Sequence, residues 1–318
     1  MQRLIVWVTA LSACASTLGA CATTARRPSS DIPSLPKEEL VRRLLSPNPK
    51  AATRVSSDRL PSHSPHCSLN RVTLSAQDPV DNGESRIVFD HYVARPGAGT
   101  VIILPLTGGE VILDRFYARA LCGRGLNAVV AKTWSHDTES GISLDVHDNG
   151  FLRGVVAIRH VLDFVPGRVG VIGTSVGALY EGLALGVVDR LDAAVFVVGG
   201  GGLPQILAQS DETGVAKLRA ARYAAMGISS ADEYEKILEA NLSLDLMKFL
   251  PPAKKKPVLM ITALKDSTVP TSSQIALWEK LERPARIDIN SNHPAAILTA
   301  WFKYRGAILD FFETNLRP

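Results

Sequence analysis

Residues 169–182, VGVIGTSVGALYEG, run from an apolar stretch through Gly-Thr-Ser-Val-Gly into a helical pattern. Ser175 has a glycine two residues away on either side, at Gly173 and Gly177. Glycine tolerates close approach of neighbouring backbone, and it loses more conformational entropy on ordering than any other residue. Two glycines at this spacing therefore predict a sharp turn between a strand and a helix, with Ser175 at its tip.

The rest of the chain predicts the sheet that contains this turn. Eight short β-like runs recur; the first two alternate apolar and polar residues, and the later ones are continuously apolar, as in strands covered on both faces. Helical patterns separate the later runs, so we expect an α/β fold with a mostly parallel, eight-stranded sheet flanked by helices. The predicted strands are residues 71–76, 86–94, 100–105, 127–132, 168–173, 193–198, 257–263 and 286–290.

A helical insertion follows the sixth predicted strand, at about residues 203–250. Three helical patterns, AKLRAARYAAM, ADEYEKILEANL and LDLMKFL, occur there without an intervening strand. Ligands of open α/β sheets bind at the carboxyl ends of the strands, so an insertion at this point is expected to form a helical cap over the ligand site. A helical excursion elsewhere on the surface is the alternative.

The strand, turn and helix around Ser175 resemble the nucleophile elbow of the α/β-hydrolase family, whose catalytic residues follow the order serine, acid, histidine. Asp266 follows the seventh predicted strand, and His293 lies in the loop after the eighth. The resemblance covers about residues 68–318. It implies the α/β-hydrolase fold, with Ser175 as nucleophile, His293 as its base and Asp266 as the acid that orients the imidazole.

Other acids and histidines fit these roles less well. Asp288 lies in the middle of the last predicted strand, which makes it a weaker acid candidate than Asp266. Four further histidines occupy predicted elements that suit a base less well than the position of His293. They are His91 in an early strand, His136 after the fourth strand, His147 in a polar loop and His160 on a helix.

The family resemblance also implies two backbone amides that would hold an oxyanion. One is the amide of Val176, directly after the nucleophile. The other comes from the loop after the third predicted strand, LPLTGGE, where family members often have Leu-His-Gly-x-Gly-Gly. Pro105 and Leu106 stand in place of the usual histidine and glycine, and Thr107 is expected to supply the amide.

The first residues resemble a bacterial lipoprotein signal, with a basic start, the compact apolar run LIVWVTAL and small residues before a cysteine. The resemblance implies removal of residues 1–20 and lipidation of Cys21, with Cys14 as the alternative; an ordinary secretory signal cleaved near Ala20 or Ala22 is a further alternative. The apolar run is shorter than the roughly 20 residues of a membrane-spanning helix. We expect export to the bacterial cell envelope, periplasm or outer membrane, with an N-terminal lipid anchor in the membrane.

Residues 21–66 are rich in proline, serine and charge, which predicts a flexible tether with a short helix at KEELVRRLL. The hydrolase domain is then residues 67–318. Export into an oxidising compartment would permit a disulfide between Cys67 and Cys122. The alternative is that Cys122 is a small apolar residue on a buried helix face.

The composition limits the other classes of function. The chain has 318 residues, of which 46% are hydrophobic, enough for one large core or two small ones. A net charge of +4, with no basic run longer than that in AKKKP, gives no case for nucleic-acid binding. No HExxH, paired CxxC or GxGxxG pattern occurs, so no metal or other cofactor is predicted.

The predicted function is that of a serine hydrolase, most simply a carboxylesterase, acting on a small-molecule or polymer-attached ester. The alternative is a non-catalytic envelope lipoprotein that uses the fold to bind a ligand or a protein. Labelling by a fluorophosphonate probe would distinguish the two.

Overall fold

The computed structural model describes residues 35–48, 50–62, 64–106, 109–132, 142–250 and 256–317. Nine strands in these residues form one sheet: β1 Thr53–Leu60, β2 Ser68–Gln77, β3 Glu84–Val93, β4 Thr100–Leu104, β5 Asn127–Ala131, β6 Val169–Thr174, β7 Leu191–Val197, β8 Val258–Ala263 and β9 Ala285–Ile289. Their order is β1-β2-β3-β5-β4-β6-β7-β8-β9. The pairs β1–β2, β2–β3 and β3–β5 are antiparallel, and the other pairs are parallel.

Ten helices in the described residues accompany the sheet. They are α1 Lys37–Leu45, α2 Ile112–Gly123, α3 Asp145–Phe164, α4 Val176–Val187, α5 Leu203–Gln209, α6 Thr213–Met226, α7 Ala231–Asn241, α8 Leu246–Phe249, α9 Thr271–Lys280 and α10 His293–Leu316. The predicted class, a mostly parallel α/β sheet flanked by helices, is confirmed.

The central parallel strands are buried on both faces, as their continuous apolar sequences predict. Every residue of β4 and β5 is buried, and successive residues face opposite sides of the sheet. Ile102 belongs to an apolar cluster with residues of α3 and α4, whereas Val101 and Ile103 belong to a second cluster with residues of α2 and α10. The carboxyl ends of these strands are thereby fixed, and the site described below is built there.

The observed count of nine strands corrects the prediction of eight. The additional strand, β1, lies in the segment predicted to be a flexible tether, and α1 lies there too. β1 is held by backbone pairing with β2 while most of its side chains are exposed, so it carries no apolar pattern. α1 buries Leu40 and Leu44, and the guanidinium of Arg159 donates to the carbonyls of Leu44 and Ser46 at its end. The described part of the predicted tether is therefore packed against the sheet and α3.

The helical insertion, α5 to α8, lies between β7 and β8. It follows the seventh strand of the sheet rather than the sixth, because β1 adds one to the count. Arg222 of α6 is fully buried and donates to the carbonyls of Ile142 and Ser143 and to the hydroxyl of Tyr234, at 2.8–3.0 Å. The bonds to Ile142 and Ser143 fasten the insertion to the segment that leads into α3.

A disulfide joins Cys67, directly before β2, to Cys122 in α2, and the two Cα atoms are 5.9 Å apart. The predicted signal peptide, with Cys14 and Cys21, lies outside the described residues. Within the described ranges, the helices are too short or too polar to cross a membrane.

Candidate active site

The turn at Ser175 joins β6 directly to α4. Ser175 has φ 55° and ψ −117°, a backbone conformation that costs energy in a residue with a side chain. Its N–H donates to the carbonyl of Val197 at 2.9 Å, and its carbonyl accepts from the N–H of Ala178 at 3.0 Å. The predicted sharp turn between strand and helix is present, and it is anchored to the neighbouring strand β7.

The glycines on either side of Ser175 are required by close backbone packing. A Cβ atom on Gly177 would lie 2.3 Å from the carbonyl oxygen of Leu104 and 2.7 Å from that of Pro105. A Cβ atom on Gly173 would lie 2.6 Å from the backbone nitrogen of Ala178. The first contact brings α4 against the end of β4, where the LPLTGGE loop begins.

The structure brings Ser175, His293 and Asp266 together at this edge of the sheet. His293 Nε2 lies 2.9 Å from Ser175 Oγ, and His293 Nδ1 lies 2.7 Å from Asp266 Oδ2. An ionised carboxylate can only accept, so Nδ1 carries the proton and Nε2 of the neutral ring accepts from the serine hydroxyl. The three residues are 6–8% exposed, which leaves little solvent to compete with these hydrogen bonds.

The sequence predicts His293 in a loop, whereas the structure shows it as the first residue of α10. Asn292 caps the helix by accepting a hydrogen bond from the N–H of Ala295 at 3.2 Å, and Pro294 occupies the first turn. Both are ordinary signals of a helix start. The imidazole is thus held at the end of a 24-residue helix.

Asp266 accepts hydrogen bonds on both of its oxygens. Oδ1 accepts from the backbone N–H groups of Thr268 and Val269, each at 2.9 Å. Oδ2 accepts from Gln274 Nε2 at 2.8 Å in addition to the bond with His293. Donors on both oxygens fix the orientation of the carboxylate toward the imidazole.

Gln274 is a residue of this site that the sequence reasoning missed. It is fully buried in α9, and its Oε1 accepts from the N–H of Ala263 at 3.0 Å, at the end of β8. The sequence does contain one signal for a buried Gln274, which is its position on the apolar face of the helix. It lies three residues before Leu277 and seven before Leu281. A polar residue on such a face needs a buried partner, and here that partner is Asp266.

The backbone donors of the predicted oxyanion site are described in part. Val176 is the first residue of α4, where N–H groups have no partner within the helix and the helix dipole favours negative charge. Thr107 lies outside the described residues. Gly109, two residues after Thr107, has φ +94°.

Ion pairs hold the loop after β4 through Glu110, at its described end. Glu110 pairs with Lys132, directly after β5, and with Arg115 in α2. Lys132 also lies 3.0 Å from Asp90 of β3, whose carboxylate is 5% exposed. The loop after β4 is therefore tied to two neighbouring strands by partly buried charges.

The competing acids and histidines have other partners. Asp288 pairs with Arg286 at 2.8 Å on the edge strand β9. His147 lies 3.0 Å from the guanidinium of Arg222. The ring of His160 bonds the side chain of Asn48 at 3.2 Å, and His91 packs against the ring of Phe164 in an environment whose burial lowers its pKa to about 4. His136 lies outside the described residues.

A second buried carboxyl group lies beneath the elbow. Glu181 of α4 is fully buried, and its Oε2 would be 2.6 Å from a Cβ atom on Gly173. Burial, opposed by the nearby backbone N–H groups of Gly173 and Val195, raises the pKa of this carboxyl well above its usual value of 4.5. No pattern in the sequence had marked it as part of the site.

In the part of the chain that the structure describes, no three His, Cys, Asp or Glu side chains are grouped so that they could hold a metal ion. The arrangement instead provides a hydroxyl, a base and a carboxylate in hydrogen-bonded sequence, which is suited to nucleophilic attack by an activated serine.

The nine-stranded sheet, the flanking helices and the strand-to-helix turn at Ser175 define the α/β-hydrolase fold. The sequence comparisons found no matching family model and no matching curated protein. Solved structures that are similar in fold include esterases and another hydrolase, at low sequence identity.

Three of them illustrate the extent of the similarity. Acetyl xylan esterase 1 from a Thermoanaerobacterium species has a TM-score of 0.60 at 14% identity, over 86% of this chain and 93% of its own. An acetyl xylan esterase from a Paenibacillus species has a TM-score of 0.56 at 16% identity, over 85% and 92%. A cold-adapted esterase from an Arctic intertidal metagenomic library has a TM-score of 0.53 at 15% identity, over 83% and 100%.

Proposed function

We propose that this protein is a serine hydrolase that cleaves an ester through Ser175, His293 and Asp266, most simply a carboxylesterase of the bacterial cell envelope. The observation that carries the proposal is the hydrogen-bonded series from hydroxyl to imidazole to carboxylate, with distances of 2.9 and 2.7 Å. It starts at a strained turn that presents the serine at the carboxyl ends of the strands. The esterase names among structures of the same fold support the same class of reaction.

Acylation begins with attack of Ser175 Oγ on the carbonyl carbon of the ester. His293 Nε2 takes the hydroxyl proton as the new C–O bond forms, and Asp266 stabilises the resulting imidazolium. The carbonyl oxygen becomes an oxyanion. His293 then gives its proton to the alkoxy oxygen, the old C–O bond breaks, and the alcohol leaves an acyl group on Ser175.

Deacylation repeats these steps with water. His293 takes a proton from water as its oxygen attacks the acyl carbon, and returns a proton to Ser175 Oγ as the carboxylic acid leaves. The oxyanion of both steps accepts hydrogen bonds from the backbone amide of Val176 and, as we propose, from that of Thr107. Removal of one such donor typically lowers turnover by about 10²- to 10³-fold.

We further propose that α5 to α8 form a helical cap and that the ester is small or attached to a polymer. The connection between α5 and α6 contacts Ser267 and Thr268, next to Asp266, which supports a position of the insertion at the site. Two structural neighbours are named acetyl xylan esterases, so acetylated polysaccharide is a substrate to test beside nitrophenyl esters of increasing acyl length.

The envelope location rests on the sequence of the leader and agrees with a disulfide, since disulfides persist in oxidising compartments. Metabolic labelling with a fatty-acid analogue tests it. Label should enter the wild-type protein and be lost in Cys21→Ser, or in Cys14→Ser if that residue is the one modified. If the wild-type protein takes up no label, the lipid anchor is refuted and the alternative is an exported protein without lipid.

The test of the catalytic proposal is labelling by a fluorophosphonate probe together with ester hydrolysis. Ser175→Ala should fold as the wild type does, lose labelling, and lose turnover by about 10⁴-fold or more, since the three groups act as a unit. Ser57→Ala, at an exposed position of β1, is the matched control and should retain both. A folded wild-type protein that is neither labelled nor active would favour the non-catalytic binding function instead.

A further inference from the structure

Asp211, in the connection between α5 and α6, binds the loop that carries Asp266. Ser267 Oγ donates to Asp211 Oδ2 at 2.5 Å, and Thr268 Oγ1 donates to Asp211 Oδ1 at 2.8 Å. The N–H of Asp211 donates to the carbonyl of Ser267 at 3.0 Å. Three hydrogen bonds thus join the helical insertion to the two residues that directly follow Asp266.

Thr268 links the hydrogen bonds of Asp211 to those that join Asp266, His293 and Ser175. The hydroxyl of Thr268 is held by Asp211, and its backbone N–H donates to Asp266 Oδ1 at 2.9 Å. Asp266 in turn accepts from His293, which contacts Ser175. Loss of the anchor at Asp211 would therefore free the loop whose amides orient the carboxylate.

The two hydroxyl donors also act on the charge of Asp211. Hydrogen bonds from Ser267 and Thr268 lower the pKa of the Asp211 carboxyl. The folded protein therefore favours the carboxylate, which can accept from both hydroxyls at once.

We propose that Asp211 is a positioning residue of the site: it fixes the loop whose backbone amides orient Asp266 toward His293. The inference rests on the proposed function for its kinetic part only. It gives the helical insertion a role in turnover, because the insertion supplies a group that acts through the acid loop.

Two variants test the role from either side of these hydrogen bonds. Asp211→Asn keeps the size and leaves one oxygen to accept from two hydroxyls, so kcat should fall by about threefold, with a smaller effect on KM, and the amides of Thr268 and Val269 should exchange faster. The double variant Ser267→Ala/Thr268→Val keeps the charge and removes the two hydroxyls. It should lower kcat by about tenfold, with a smaller effect on KM, because the acid is less well held.

Asp310→Asn is the matched control. Asp310 is an exposed aspartate of α10, the helix that begins with His293, and it pairs with Arg124. This variant should change neither kcat nor the exchange rates of the Thr268 and Val269 amides.

The outcomes distinguish this inference from the proposed function. An active wild-type enzyme with unchanged kcat in both Asp211→Asn and the double variant would overturn the role of Asp211 and leave the hydrolase intact. If the wild type is inactive, the exchange rates of the Thr268 and Val269 amides still decide. Unchanged amide exchange in both variants would overturn the inference.

Discussion

One added methyl group at residue 177 tests how the nucleophile turn is built. An alanine Cβ atom there would lie 2.3 Å from the carbonyl oxygen of Leu104 and 2.7 Å from that of Pro105. Since non-bonded heavy atoms pack at about 3.5 Å, α4 and the end of β4 must separate by about 1 Å. The displaced segment includes the amide of Val176, directly after the proposed nucleophile.

The magnitude follows from this displacement. Overpacking of a well-packed interior costs about 1–3 kcal/mol, so Gly177→Ala should lower the free energy of unfolding by about 2 kcal/mol. A misplacement of about 1 Å at reacting groups lowers turnover by about 10²-fold, and we expect a loss of that size in kcat. Urea denaturation measures the first effect, and hydrolysis of a nitrophenyl ester measures the second.

Gly306→Ala is the matched control. Gly306 lies in α10, and a Cβ atom there would have no heavy atom within 4 Å beyond its own neighbouring helix backbone. Alanine in place of glycine inside a helix should stabilise the protein by about 0.5–1 kcal/mol, with activity unchanged. A Gly177→Ala protein with wild-type stability and turnover would refute the argument that backbone contact with β4 sets the geometry of the turn.

Two other predictions concern groups away from the site. Burial lowers the pKa of His91 to about 4 from 6.5, so below pH 6.5 the unfolded chain binds a proton that the folded chain does not, and stability falls by up to roughly 3 kcal/mol as the pH approaches 4. His91→Phe keeps an aromatic ring against Phe164 and should reduce the stability difference between urea titrations at pH 7.5 and 5; an equal difference in both proteins would contradict the assignment. Reduction of the disulfide, whose cysteines are 55 residues apart, should lower the free energy of unfolding by about 4 kcal/mol. Cys67→Ser should make stability insensitive to reductant, and equal sensitivity in that variant would show that reductant acts elsewhere.

The sequence predicts those features whose physical causes are local. The glycines beside Ser175 reflect a steric requirement within five residues, and the central strands are continuously apolar because both of their faces are covered. The order of Ser175, Asp266 and His293 along the chain agrees with their contact in space, while their catalytic role stays a prediction. The start of α10 was signalled by Asn292 and Pro294, although the sequence reasoning placed a loop there.

The missed features depend on contacts between distant parts of the chain. β1 is a strand because its backbone pairs with β2, and its exposed side chains carry no alternating pattern. Asp211 meets Ser267 across 56 residues, and nothing near Asp211 in sequence marks it. Gln274 had a weak signal, as a polar residue on an apolar helix face, but its partner was identifiable only in three dimensions.

The carboxyl groups of Asp266 and Glu181 lie near Ser175 in two different environments. Asp266 accepts four hydrogen bonds, which stabilise its negative charge next to the imidazole. Burial raises the pKa of Glu181, beneath Ser175, well above its usual value, which disfavours a negative charge there. A charge on Glu181 would oppose the oxyanion of the proposed reaction, because both would be negative in a region with little water to screen them. In that reaction the helix start at Val176 supplies N–H groups for the oxygen that becomes negative, and the environment of Glu181 keeps opposing charge away from it.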